Sequence, residues 1–186
     1  MRADSDRPEP RRVSAGEYPM WDRALALLNR DLAVTLPEQE PLQLLALPPW
    51  DADEPENVHV ALANGEWHGN DLCPDSADDP ASALAVVADA AQETVTELLW
   101  QAWPLCAEHG LGMHPRDVDG QLSWWCAGER LRRGPAHIRA AVGALDTLVS
   151  AHVAPIARDD GRVAASWATV VERDGHGVGR VVWVFS

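Results

Sequence analysis

Two of the chain's three cysteines and three of its seven histidines fall between Trp100 and His137. Side chains that share a metal ion force the backbone segments carrying them to converge, so this interval limits the folds open to the whole chain. In Cys106-Ala107-Glu108-His109-Gly110 two donors sit on one tight turn, and the glycine takes the backbone conformation that lets amides approach the sulfur. Cys126, on an expected strand, supplies a third ligand. His137 is the expected fourth, because it restores two ligands from each side of the intervening loop. His114 is the alternative, followed by Pro115, which biases its backbone to extended geometry. Thiolate and imidazole donors select zinc over magnesium or calcium, so the expected occupant is Zn.

The interval resembles half of a zinc ribbon, over roughly a fifth of the chain, with Cys126 and a histidine in place of the second paired knuckle. Four protein ligands would make the metal structural. Three would leave a position for an activated water, the arrangement of a zinc-dependent hydrolase with Glu108 as the nearest base. The paired motif of zinc deaminases, a Gly-x-Ser-x-Gly elbow, a His-Glu-x-x-His helix and a nucleotide-binding glycine loop are all missing from the sequence. The expected function is therefore a non-catalytic zinc-binding protein of interaction or regulatory role.

Charge constrains the partners. The formal net charge is −14, and between Arg30 and Arg116 there is no lysine or arginine at all, while carboxylates recur from Asp31 to Glu108. That body repels a phosphate backbone, which makes nucleic acid an unexpected ligand although Arg130, Arg132, Arg133 and Arg139 could bind a phosphate locally beside the proposed site. Its plain role is solubility. The alternative role is to attract a basic protein partner, as an acidic inhibitor or immunity-type protein would, and that reading expects several of Trp50, Trp67, Trp124 and Trp125 at the surface.

No stretch has the apolar core of a signal peptide or the length to span a bilayer, and the odd cysteine count favours reduced thiols, so the expected location is the cytoplasm. The length of 186 residues suits one core. We expect a flexible tail over 1–16 and a single domain over 17–186. Apolar spacing predicts helices over 18–33 and 79–103, the second capped by Asp79, started by Pro80 and stopped by Pro104. Strands are predicted over 42–47 and 121–126, and a hairpin over 58–70 on Asn64-Gly65. A glycine-rich link fills 110–120, residues 138–153 begin as a strand and end as a helix, and two β segments over 162–172 and 179–185 close the chain. The expected fold class is α+β, with an antiparallel sheet packed against a long central helix and a zinc-knuckle-like insertion over 100–137.

Overall fold

The computed structural model describes residues 9–49, 55–128, 134–147, 167–173 and 179–185, in two compact units, Met1–Leu148 and Val149–Ser186. The first holds two helices, α1 (Pro19–Thr35) and α2 (Pro80–Leu99), and two three-stranded antiparallel sheets. One sheet has the order β1 (Arg11–Arg12), β2 (Gln43–Leu47), β3 (Asn57–Ala61), and the other β4 (His114–Val118), β5 (Gln121–Cys126), β6 (His137–Ala141). The described residues of the second unit form an antiparallel pair, β7 (Trp167–Arg173) and β8 (Gly179–Phe185). The chain is thus mixed helix and sheet as expected, but two helices of similar length and two small sheets replace the single sheet on one central helix. Residues 162–166, the turn at 174–178, Trp50, Arg130 to Arg133 and the expected helix beyond 147 lie outside the described residues.

Each helix forms for the reason its sequence suggests. Trp21, Ala24, Leu25, Leu28 and Leu32 recur at helical spacing and are all buried on α1. From within α1 Asn29 grips the backbone of Leu42 with both halves of its amide, at 3.0 and 2.8 Å, and so sets the entry into β2. On α2 the Asp79 carboxylate accepts from the Ser82 amide at 2.8 Å, and Ala83, Val87, Ala91 and Val95 are buried. This helix ends at Leu99, with Trp100 in the left-handed region at φ 54°, ahead of the expected stop at Pro104. The early stop lets Trp103 turn into the core, where its Nε1 donates to Thr35 Oγ1 at 2.8 Å and its ring meets Trp124 edge-on.

The expected hairpin is reduced to its turn. Gly65 has φ +87° and Leu62 N–H donates to the Glu66 carbonyl at 2.8 Å, but the returning arm makes only the Ala61–Trp67 bridge while β3 pairs along β2. Beyond Trp67 the chain is held to α2 instead, where the Thr94 hydroxyl lies 3.0 Å from the Val60 carbonyl and 3.4 Å from the His68 amide. Two further strands lie in stretches expected to be irregular. Arg11–Arg12 extend the first sheet from within the expected tail, and β4 occupies the expected glycine-rich link. A proline suits β4 because an edge strand need not donate every amide.

The second sheet is fastened to α1 by one carboxylate. Asp31 is fully buried and accepts from Trp124 Nε1 at 2.6 Å, Gly143 N at 2.6 Å and Leu145 N at 2.9 Å. Burial holds its carboxyl above the ordinary carboxylate value, against the pull of those three donors. Replacing Asp31 by alanine strands three buried N–H groups, so Asp31→Ala is expected to cost about 3 kcal/mol or more of unfolding free energy in a urea titration. A loss under about 1 kcal/mol would show the carboxylate to be a passenger.

Candidate metal centre

The first half of the site is a tight return between residues 104 and 113. Met113 N–H donates to the Pro104 carbonyl at 2.8 Å, Leu105 bridges Gly112, and Cys106 N–H donates to the Leu111 carbonyl at 2.8 Å. Inside it Gly110, at φ +65°, donates its N–H to the Cys106 carbonyl at 2.7 Å, closing the turn that carries Cys106 and His109. The base of the return is clamped from α2: Gln92 Nε2 donates to the Trp103 carbonyl at 2.7 Å and to the Met113 carbonyl at 2.5 Å. The turn therefore stands on a rigid helix.

The second half comes from neighbouring strand ends. Cys126 closes β5, His137 opens β6, and the two are register partners. Gly128, at φ +67°, donates its N–H to Cys126 Sγ at 3.5 Å, and a Cβ there would come within 2.5 Å of the Pro135 carbonyl carbon. Glycine is needed at that position for both reasons.

Three of the four side chains form one group, and Cys126 approaches it at His109. His109 Nδ1 lies 3.5 Å from Cys106 Sγ and 3.3 Å from Cys126 Sγ, and His137 Nε2 lies 3.6 Å from Cys106 Sγ. The donor atoms of Cys106, His109 and His137 all lie within 4.8 Å of one another, a group that could hold a metal ion. Cys126 joins it through His109. Both of these cysteines are fully buried and His109 is 2% exposed, whereas His137 is part-exposed and lines a surface pocket with Trp125 and Ile138. His137 Nδ1 lies 3.4 Å from the Pro135 carbonyl, an arrangement that leaves Nε2 as the free donor. Burial pushes the Cys126 thiol up from its ordinary value, and the Gly128 N–H works against that shift.

The remaining candidates lie elsewhere. His114 is exposed on β4, opposite Trp125. Cys73 is exposed, ahead of the short turn Pro74–Asp78. His59 packs against Trp67, and His68 Nδ1 lies 3.5 Å from Glu93 Oε1. Glu108 is exposed, with Oε2 at 4.0 Å from His137 Nε2 and Oε1 accepting from Arg139 Nη1 at 2.7 Å. No helix among the described residues is long and apolar enough to cross a membrane. No protein-family model, curated protein or solved structure matches the chain.

Sequence reasoning overlooked Gln92 and Gly128. The glycine had a signal, two residues past a cysteine, whereas a helix glutamine carries none. Gln92→Leu removes both clamping bonds and leaves two carbonyls to find other donors. It is expected to cost about 1–3 kcal/mol of stability, with amide hydrogen exchange accelerated first in residues 103–113. Unchanged exchange there would show that the return stands without α2.

Proposed function

We propose that this chain binds a single zinc ion through Cys106, His109, Cys126 and His137, and that the ion braces a non-catalytic domain whose role is interaction or regulation. The observation that carries this reading is the spacing of the donors. Zinc with sulfur at about 2.3 Å and nitrogen at about 2.0 Å has a tetrahedral sulfur–nitrogen edge of about 3.5 Å. The sulfur–nitrogen separations here are 3.5, 3.6 and 3.3 Å. Two thiolates and two imidazoles suit zinc better than any hard cation.

Two features support a structural role over a hydrolytic one. With Cys126 as the proposed fourth donor the tetrahedron is closed and leaves no position for a reactive water, whereas Cys106, His109 and His137 alone would leave one. Glu108, the nearest candidate base, is committed to Arg139. Because ligands scattered over residues 106–137 must be gathered to bind the ion, its binding free energy is folding free energy for the return at 104–113 and for the strand ends.

The test is metal content by mass spectrometry on untagged protein, with thermal unfolding alongside. A single zinc per chain is expected, lost together with thermal stability in Cys106→Ser, Cys126→Ser and His137→Ala, and retained in His114→Ala. Metal-free wild-type protein would overturn the reading. Loss of metal with undiminished stability would favour the open, hydrolytic site.

A further inference from the structure

Between α2 and the return at 104–113 runs a shallow groove of ≈ 560 Å³, separate from the Cys/His cluster. Its apolar lining is Ala102 and Leu111, both exposed, with Trp103 and Met113, both buried in the core. One wall is acidic: Asp89, Glu93 and Glu97 line it from α2. Their four-residue spacing sets all three on one stripe of the helix, with successive carboxylates rising about 6 Å. In the lining Leu111 is 38% exposed, and Leu105, which bridges the lining residue Gly112, is 51% exposed.

Among the described residues no arginine forms an ion pair with any of the three carboxylates of the stripe, while the Glu93 carboxylate lies against Gly69 and 3.5 Å from His68 Nδ1. Partial burial, and then the neighbouring Glu93, hold the Asp89 carboxyl above its ordinary value, while His114 draws it down. Carboxylates crowded in this way beside apolar surface are complementary to a cation on an apolar support.

We propose that this groove binds a basic amphipathic helix of another protein, its apolar residues against the floor and its arginines or lysines against Asp89, Glu93 and Glu97. The inference rests on the reading of the chain as an interaction domain and gives that domain its partner class. An amphipathic helix presents apolar anchors at i, i+3, i+4 and i+7 and can repeat basic residues at the spacing of the stripe. The other occupants are opposed by charge. A second copy of a chain with net charge −14 brings like charge to the groove, and nucleic acid or an anionic membrane surface meets the same repulsion.

The probe is a synthetic amphipathic helix of about 18 residues carrying leucine anchors and arginines four apart, beside a control with glutamate for every arginine. Both are titrated into the full chain by calorimetry at two salt concentrations, with backbone-amide NMR shifts recorded and zinc content measured on the same sample. The arginine peptide is expected to bind with a micromolar Kd, weaker at the higher salt, and to shift amides of residues 89–97 and 102–113. The glutamate peptide is expected not to bind. Combining Asp89→Asn, Glu93→Gln and Glu97→Gln is expected to weaken binding about tenfold, with the helical circular dichroism unchanged. Leu111→Asp is expected to weaken it while leaving those carboxylates in place. Equal affinity for the triple variant, shifts mapping away from the groove, or no binding would overturn the proposal. Groove binding by a zinc-free chain would sink the metal reading alone, whereas a zinc-loaded chain that ignores the peptide would sink this one alone.

Discussion

The buried carboxylate of Asp31 is the constraint on which the first unit depends. It sits on α1, between the apolar positions Leu28 and Leu32, where a charge has no reason to be unless its partners are fixed. Those partners are Trp124 on β5 and the amides of Gly143 and Leu145 just past β6. One side chain therefore sets the position of the strand that ends in Cys126 and of the chain that follows the strand beginning at His137. A charge buried without such donors would cost several kcal/mol, so the three bonds form together or the packing fails.

The other half of the proposed site depends on α2. Gln92 holds the base of the return that bears Cys106 and His109, while Thr94 meets Val60 and His68 from the same helix. Four residues apart on a further stripe stand Asp89, Glu93 and Glu97. The helix thus supports the proposed metal turn and supplies the wall of the proposed docking groove. An ion that braces the return would also brace the groove floor at Leu111 and Met113, which couples binding of the two ligands through a shared element.

How much of this was legible in the sequence follows from the range of each interaction. Local signals served well: the apolar spacing of Trp21 to Leu32, the Asp79-Pro80 cap, and the aromatic run ending at Cys126 all lie within one element. Donor chemistry singled out Cys106, His109, Cys126 and His137 because few residue types bind soft metals. Strand β4 was hidden by composition, since His-Pro-Arg-Asp-Val has no apolar alternation. Its turn carried a signal that was passed over, for Asp119 at φ 53° and Gly120 at φ +81° make the two-residue Asp-Gly return of a tight hairpin. The division into two sheets, the bonds of Asp31 across more than a hundred residues and the clamp of Gln92 depend on pairings that no local window contains. The tryptophans show the same limit. Trp124 is buried and Trp67 and Trp125 are half-buried, while among the described residues Trp100 is the exposed one, its place at the end of α2 set by where the helix stops.

The central claim is a tetrahedral site of two sulfurs and two nitrogens, and X-ray absorption at the zinc edge of the metal-loaded chain tests it most directly. The account predicts two sulfur neighbours at about 2.3 Å and two nitrogen neighbours at about 2.0 Å, with the multiple-scattering pattern of imidazole. A shell dominated by oxygen, or one with a single sulfur, would contradict it.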